Sequence, residues 1–404
     1  AVVSSAAWLT AAGESSGPFD SSGGWSAPQA AIQARAIRSV YRNVIGHRIG
    51  RGTTNSGSCG AAAPEPSAVR LTPVMHAAET VWMSEVDHNR VAAAAREASA
   101  RIAGLVRATP LDYSYRLSAD TGADVYMKLE SLQYTGSFKL RGAANRLMTL
   151  ADEQKRAGCV AASSGNHGAA IAYAMQKLGI GGVIFVPEQT STAKVEAIRS
   201  YGGDVRFFGT DGLDTELHAR TYAEEHGMFY LSPYNDPGVI AGQGTCGIEI
   251  QASLPEIDAL YVSVGGGGLV SGVASVLKSG NPAIRIVGCQ PEASAVMAHS
   301  VEAGKIVDEP SHPTLSDGTA GGIEQDAITF GLCRSLVDEF VLVSEAEIAA
   351  AMRQFIDYEH QLIEGAAGVA LASMLKQKDA LEGRTIVVLI CGGNVSRDTL
   401  KHIL

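Results

Sequence analysis

Short apolar runs alternate with helix-like segments along the chain from about residue 83 onward. The runs read ADVYMKLE, GCVAAS, GGVIFVP, DVRFFG, ALYVSVG, IRIVGCQP and TIVVLICGG, in that order. Most are apolar at nearly every position, as expected of strands buried on both faces of a sheet. Strands that alternate with helices predict an α/β protein with parallel sheets covered by helices.

The helices predicted between these runs place several loops at one edge of the sheets. A helix is predicted from Ser84 to Val106, because VAAAAREASARIAGLV is dense in helix-forming residues and Ser84 is a suitable N-cap. Further helices are expected over GAANRLMTLADEQ, from about His167, and around Thr215–Glu225. Ligands of open α/β sheets bind beyond the carboxyl ends of the strands, so the loops there are candidates for a functional site.

The first 82 residues differ from the rest. Segments such as GESSGPFDSSGGWS and TTNSGSCGAAAPEPS are rich in Ser, Gly, Ala and Pro and have no apolar periodicity. They bury too little apolar surface to offset chain entropy, which predicts a disordered, low-complexity extension over residues 1–82. Between Ser21 and Pro64 there are several arginines and no acidic residue, a composition also typical of transit peptides. Both interpretations are kept, a targeting segment and an extension with no folded role.

Composition excludes several classes of protein. Of 404 residues, 46% are hydrophobic and 18% are charged, which indicates a globular chain with a sizeable core. The formal net charge of −10 argues against nucleic acid as a partner. No apolar run approaches the roughly 18 residues that cross a bilayer, so no membrane partner is expected. The six cysteines are scattered without a CxxC pair, which indicates free thiols and a cytoplasmic location.

The first candidate loop is SFKLRG, which opens a helix with Lys139. A lysine at a helix start, flanked by Phe138 and Leu140, is partly desolvated and lies near the positive end of the helix dipole. Both effects lower the pKa of its amine below the ordinary value of about 10.4. Lysines that form Schiff bases with carbonyl compounds need such a lowered pKa. The alternative is a surface lysine that begins a helix.

The second candidate loop is SSGNHG, again between a strand and a helix. Hydroxyl, amide and backbone N–H groups converge there at a helix N-terminus, which is suited to binding a carboxylate. The two serines can equally be simple N-caps, and the histidine is expected to be hydrogen-bonded scaffold without a catalytic role. The substrate contacts predicted from this loop are Ser163, Ser164, Gly165, Asn166 and His167.

The third candidate loop consists of Gly265, Gly266, Gly267 and Gly268, followed by Leu269. Consecutive glycines let successive N–H groups point into one concavity before a helix, which suits a phosphate group. The loop is neither a Walker A loop nor a GxGxxG dinucleotide loop, and the alternative is a flexible hairpin. One lysine together with one phosphate-binding loop indicates a phosphorylated aldehyde held as an imine. Pyridoxal 5'-phosphate is the cofactor that fits.

The motifs SFKLRGA, SSGNHG, GGGGL and CGGN occur in the same order in the fold-type II pyridoxal-phosphate enzymes. From about Met83 to Leu404 the chain most resembles the threonine/serine dehydratase and serine racemase family. The resemblance implies two doubly wound α/β domains with the cofactor between them. Residues 83–150 and 236–404 would form the large cofactor-binding domain and residues 151–235 a small mobile domain. A homodimer or higher homo-oligomer is also expected.

The resemblance implies roles for particular residues. Lys139 would hold the cofactor covalently and move the Cα proton on one face of the substrate. Ser164 matches the serine that serves racemases as acid and base on the opposite face. Asn166 would hydrogen-bond the phenolic oxygen of the cofactor, and Phe138 would pack near its ring.

Three further positions follow from the same resemblance. Residues 265–268, with the N–H of Leu269, would hold the phosphate. Cys391 would face the pyridine nitrogen as a neutral thiol, which leaves the ring a weaker electron sink and suits elimination. Glu364 matches a family position near the substrate pocket, or is simply an acid at a helix start.

The predicted reaction converts a β-hydroxy L-amino acid, such as threonine or serine, into a 2-oxo acid and ammonia. Racemisation is the alternative, because dehydratases and racemases share the lysine and often Ser164. A cysteine synthase-like enzyme is less favoured, because such enzymes carry Thr where this chain has His167. Threonine synthases typically have Asp where this chain has Leu140. A catalytically silent binding protein would have no need of Lys139.

No metal site is expected. Some family members bind a divalent cation through an acid that follows a strand, and this chain has Gln290 there. Val296 stands where a second acid would align, and Glu292 is out of register by two residues. A neutral amide oxygen is a poor ligand for a hard cation, which favours the dehydratase over metal-dependent racemases.

Overall fold

The computed structural model describes residues 87–404, so the extension predicted over residues 1–82 lies outside the described residues. Helix α1 spans His88–Ile102, and the Asp87 side chain accepts a hydrogen bond from the N–H of Asn89 at its start. The predicted end of this helix at Val106 is therefore wrong, and its predicted start at Ser84 lies outside the described residues. The cap that the structure shows is Asp87, and Asp is as good an N-cap as Ser.

A six-stranded sheet forms the larger part of the described chain. Its strands are β1 (Leu111–Tyr113), β2 (Asp124–Leu129), β7 (Ala259–Ser263), β8 (Arg285–Pro291), β9 (Glu339–Val343) and β10 (Thr385–Ile390). The spatial order is β1-β2-β10-β7-β8-β9. Only β1 runs antiparallel to its neighbour, and all the other pairs are parallel.

A four-stranded sheet is built from one continuous stretch of the chain. Its strands are β3 (Cys159–Ala162), β4 (Gly182–Val186), β5 (Asp204–Phe207) and β6 (Phe229–Tyr230). All of them are parallel, in the order β5-β4-β3-β6. The prediction of an α/β fold with parallel sheets is confirmed.

At least one of the helices connects each strand to the next. After α1 they are α2 (Tyr115–Thr121), α3 (Lys139–Thr149), α4 (Asp152–Ala157), α5 (Asn166–Leu178), α6 (Thr192–Ser200), α7 (Gly212–Glu225), α8 (Pro237–Ser253), α9 (Gly268–Gly280), α10 (Val296–Ala303), α11 (Ile328–Leu336), α12 (Glu345–Glu359), α13 (Gly365–Lys376) and α14 (Arg397–Ile403). Within residues 87–404, no helix combines the length and the apolar character that crossing a membrane requires.

One predicted helix is divided in two. The segment GAANRLMTLADEQ was expected to be continuous, but α3 ends at Thr149 and α4 begins at Asp152. Leu150 between them is extended and buried, and the Gln154 side chain accepts a hydrogen bond from the N–H of Ala151. Burial of Leu150 and this local cap together end one helix and start the next.

The central strands are buried because helices pack on them. Every residue of β7 is buried, as are all residues of β10 after Thr385. Helix α13 packs against both strands, and α9 also packs against β7. This explains why the sequence of these strands is apolar throughout instead of alternating. A second core lies around β3 and β4 and includes Leu140 and Leu147 of α3.

Candidate active site

A cavity of about 890 Å³ lies where β3, β7 and β10 end and where α3, α5 and α9 begin. All the site residues predicted from the sequence line it, although they come from four separate loops. They are Phe138, Lys139, Ser163, Ser164, Gly165, Asn166, His167, Gly265, Gly266, Gly267, Gly268, Leu269 and Cys391. The position of the cavity is the one expected for a ligand site in parallel α/β sheets.

Lys139 is the first residue of α3. Its Nζ donates a hydrogen bond of 3.0 Å to the carbonyl oxygen of Pro233 and lies 5.2 Å from the centre of the Phe138 ring. Removal from bulk water lowers the pKa of the Lys139 amine to about 8, although the nearby Cys391 and Glu364 side chains oppose the shift. The lowered pKa predicted from the sequence is therefore present.

The start of α3 is anchored by a buried ion network that sequence reasoning missed. Arg141, two residues after Lys139, is completely buried. Its guanidinium lies 2.8 Å from a carboxylate oxygen of Glu130 and 2.7 Å from one of Glu249. Such a network is costly to break by removing one partner, so it holds the first turn of α3 in place.

The loop after β3 contributes polar side chains to the cavity wall and one buried histidine ring. Ser163, Ser164 and Asn166 line the cavity, and Asn166 begins α5. The ring of His167 is buried, and its Nε2 lies 3.0 Å from the carbonyl oxygen of Leu231. Burial, with the Lys139 charge nearby, lowers the pKa of His167 to about 3. His167 is thus a neutral, hydrogen-bonded ring, as expected of scaffold.

The glycine loop joins β7 to α9 in a very confined space. Gly267 has φ of +84°, which other residues rarely adopt. A Cβ on Gly266 would enter the ring of Tyr234, and a Cβ on Gly265 would meet the backbone of Thr319. The first N–H groups of α9 have no partner within the helix. Backbone N–H groups without side chains at a helix N-terminus form a suitable phosphate site.

Glu364, which the family resemblance places near the substrate pocket, lines the cavity. It precedes α13, is buried, and lies within hydrogen-bonding reach of Asn166. Burial raises the pKa of its carboxyl to about 7, with Asp317 adding to the shift and Asn166, Asn394 and Lys139 opposing it. Its signal in the sequence was the segment LIEGAAG, where a helix-start acid was an equal alternative.

Cys391 directly follows β10 and is buried at the cavity wall. Its Sγ lies 3.9 Å from Oε1 of Glu364. Burial raises the pKa of the thiol well above its usual range, with the Glu364 carboxylate reinforcing the shift. The thiol is therefore neutral, as the sequence-based interpretation requires.

Gln290 and Glu292, the residues considered as metal ligands, interact with other groups of the protein. The Oε1 of Gln290 accepts a hydrogen bond of 2.7 Å from the N–H of Ala298, in the first turn of α10. Glu292 is exposed, and its carboxylate lies 3.9 Å from the amine of Lys376. In the part of the chain that the structure describes, no group of three or more His, Cys, Asp and Glu side chains could hold a metal ion.

These residues fit pyridoxal phosphate. The cavity offers one amine of lowered pKa, a glycine-lined helix N-terminus for a phosphate, and a neutral thiol in place of a carboxylate. The aromatic ring of Phe138 lies beside the amine. The amine suits the aldehyde of the cofactor, the helix N-terminus suits its phosphate, and the thiol and Phe138 suit its ring.

Known proteins support the same conclusion. Residues 102–392 match the family model described as pyridoxal-phosphate dependent enzyme. The chain is 41% identical over 312 residues to the catabolic L-threonine dehydratase of Staphylococcus aureus, covering 76% of this chain and 90% of that protein. The structure resembles maize serine racemase, with a TM-score of 0.73, 36% identity, and coverage of 77% of this chain and 95% of that one. It also resembles the processed form of threonine deaminase isoform 2 from Solanum lycopersicum, with a TM-score of 0.75, 33% identity, and coverage of 79% and 94%. The chain therefore belongs to the family of pyridoxal-phosphate-dependent enzymes.

Proposed function

We propose that the protein is an ammonia-lyase that converts a β-hydroxy L-amino acid, such as threonine or serine, into a 2-oxo acid and ammonia. The observation that carries the proposal is the position of Lys139. Its amine, with a pKa lowered to about 8, lies in the same cavity as the glycine loop and the loop SSGNHG. An amine, a phosphate site and a carboxylate site in one cavity are what β-elimination from an amino acid requires.

Pyridoxal phosphate, when bound, supplies an aldehyde for covalent attachment and a ring that withdraws electrons from the substrate Cα. Lys139 takes up and returns a proton at Nζ, which is effective because its pKa is close to neutral pH. The first N–H groups of α9, with the glycine loop before them, bind the phosphate. Ser163, Ser164 and the backbone N–H of Asn166 bind the substrate carboxylate at the start of α5, and the side-chain amide of Asn166 would hydrogen-bond the phenolic oxygen of the cofactor. Ser164 is the acid or base on the opposite face.

The neutral thiol of Cys391 supports elimination over other reactions. A carboxylate facing a pyridine nitrogen would keep that nitrogen protonated, whereas a neutral thiol does not. The ring then withdraws electrons less strongly, so a substrate that can expel a β-hydroxyl group reacts most readily. Tyr134, which precedes the SFKLRG loop, is not part of the cavity lining and instead stacks on Tyr173.

Racemisation is the second candidate, because the hydroxyl of Ser164 and the amine of Lys139 line the same cavity. Two acid or base groups that reach one carbon from opposite faces would invert its configuration. The maize relative is named a serine racemase, which adds support. A cysteine synthase-like reaction has no observation in its favour.

The test is an assay of 2-oxo acid and of D-amino acid with L-serine, D-serine, L-threonine and bulkier β-hydroxy amino acids. We expect 2-oxo acid and ammonia in equal amounts from an L-substrate. D-amino acid formed faster than 2-oxo acid would favour the racemase. No product from any substrate, by an enzyme that visibly holds the cofactor, would overturn the proposed reaction.

We further propose that the chain works as two domains in a homodimer or larger homo-oligomer in the cytoplasm. The strands of the four-stranded sheet all fall within 151–235, and those of the six-stranded sheet fall within 83–150 and 236–404. The five cysteines in the described part of the chain are buried thiols without disulfides, which supports a reducing compartment. Light scattering would give the oligomeric state, and fractionation of cells would give the location.

A further inference from the structure

The side-chain amide of Asn166 is oriented by neighbours on two sides. Its Oδ1 accepts a hydrogen bond of 2.7 Å from Nδ2 of Asn394. Its Nδ2 donates towards both carboxylate oxygens of Glu364, each at 2.9 Å. The amide of Asn394 cannot turn round, because its Nδ2 also donates at 2.9 Å to the carbonyl oxygen of Thr135, which can only accept.

The orientation of Glu364 is constrained as well. Its backbone N–H donates a hydrogen bond of 3.2 Å to the carbonyl oxygen of Gly392, and its Oε2 accepts one of 3.3 Å from the N–H of Asn394. A Cβ on Gly392 would collide with the carboxylate, which shows how closely the backbone packs there. Glu364 thus cannot turn away from Asn166 without breaking these contacts.

This arrangement determines what Asn166 can offer to a ligand. An amide nitrogen carries two N–H groups, and one of them is directed to Glu364. The other is available to the cavity, which Asn166, Glu364 and Asn394 all line. The amide oxygen is held by Asn394. A ligand atom beside Asn166 must therefore be a hydrogen-bond acceptor, such as a phenolate oxygen.

We propose that Glu364 and Asn394 are positioning residues, which hold Asn166 as a donor and thereby select the deprotonated phenolic oxygen of bound pyridoxal phosphate. The proposal rests on the proposed function only in placing that oxygen beside Asn166. Deprotonation of the oxygen changes the visible absorbance of the cofactor, so the proposal can be tested without substrate.

The experiment measures the visible spectrum of the holoenzyme against pH and the affinity of the apoprotein for pyridoxal phosphate. Asn394→Asp replaces a donor by an acceptor, so the Asn166 amide should turn round and present its oxygen. Asn394→Leu and Glu364→Leu each remove one hydrogen-bond partner of the Asn166 amide. In all three variants we expect the spectrum to shift towards the protonated phenol form and the affinity to fall about tenfold, as for a lost hydrogen bond to a charged group. Glu364→Gln keeps one acceptor oxygen and should retain the wild-type spectrum.

Asn145→Leu is the matched control. Asn145 accepts a hydrogen bond of 2.6 Å from Arg101 and donates one of 2.6 Å to the carbonyl oxygen of Gly238, and it does not line the cavity. Its loss should lower the thermal midpoint and leave the spectrum unchanged. The proposal is overturned if the Asn394 and Glu364 variants lose only thermal stability, as this control does. If the wild type shows the expected spectrum but forms no 2-oxo acid, the proposed reaction fails and the positioning role stands.

Discussion

The amine of Lys139 donates a hydrogen bond of 3.0 Å to the carbonyl oxygen of Pro233. This bond links the start of α3 to the segment between β6 and α8. The next residue, Tyr234, packs its ring against Gly266 of the glycine loop. One short segment therefore contacts both the amine and the phosphate site, so a displacement of this segment would disturb both together.

Replacing Lys139 by Ala should abolish both the absorbance band of the imine that this lysine forms with the cofactor and the formation of 2-oxo acid. No other amine is available at that position, and the loss of the base adds to the loss of covalent attachment. The measurement is a spectrum and an assay, with the exposed Lys378→Ala as control. Residual activity above roughly a thousandth of wild type would contradict the role of Lys139, since general acid–base catalysis alone contributes about 10²–10⁴.

The rate at which the apoprotein captures pyridoxal phosphate should depend on pH with a midpoint near the pKa of Lys139, about 8. Only the neutral amine attacks an aldehyde, so the rate should rise about tenfold per pH unit below the midpoint and level off above it. Stopped-flow absorbance measures this rate. An exposed lysine, with its pKa of about 10.4, would give a rate that still rises above pH 9. That result would show that the amine is not desolvated.

Glu364→Gln should change how the stability of the apoprotein depends on pH. Burial raises the pKa of Glu364 from 4.5 to about 7, so between these values the folded state holds a proton that the unfolded state has released. The contribution of Glu364 to the free energy of unfolding is therefore fully present below pH 4.5. It is lost as the pH rises towards 7, and the total loss is about 3 kcal/mol. Urea unfolding at several pH values measures the effect. Parallel stability curves for variant and wild type would contradict it.

Gly266→Ala should weaken the binding of pyridoxal phosphate. The added Cβ would enter the ring of Tyr234 and displace the backbone that offers N–H groups to the phosphate. A forced shift of this kind costs about 1–3 kcal/mol, which corresponds to a fall of about 5-fold to 150-fold in affinity. Gly331→Ala is the control, because Gly331 lies within α11 with nothing within 4 Å of an added Cβ. An unchanged affinity in Gly266→Ala would remove this loop from the phosphate site.

A chelator should have little effect. The amide oxygen of Gln290 already accepts a hydrogen bond from the N–H of Ala298, and the carboxylate of Glu292 is directed towards the amine of Lys376. A hard divalent cation prefers several anionic oxygens, whereas Gln290 has only a neutral amide oxygen and the carboxylate of Glu292 is directed to the Lys376 amine. We expect EDTA to change the initial rate less than about twofold, and added magnesium or calcium to leave the thermal midpoint unchanged. Loss of most activity in EDTA, restored by magnesium, would reveal a divalent site and favour the racemase.

The sequence predicted the fold and the site best where the prediction depended on residues that are neighbours along the chain. The alternation of apolar strands with helices depends on local periodicity, and it predicted the parallel sheets correctly. Each of the three loops joins a strand to a helix over a few residues, so its chemistry was visible in SFKLRG, SSGNHG and GGGG. Helix boundaries were less certain, because Ser84 and Asp87 are both suitable caps and the buried Leu150 interrupts a strongly helical segment.

The sequence by itself determined the fold class, the cofactor chemistry and the loops that carry it, because each depends on residue types within one short segment. Only the tertiary structure decided which distant residues complete the site. Glu364 and Asn394 contact Asn166 from 198 and 228 positions away along the chain. Pro233 contacts Lys139 from 94 positions away, after the last strand of the four-stranded sheet. The pKa values of Lys139 and Glu364 likewise depend on burial. Burial and long-range hydrogen bonds arise from packing of the whole chain, and no local pattern encodes them.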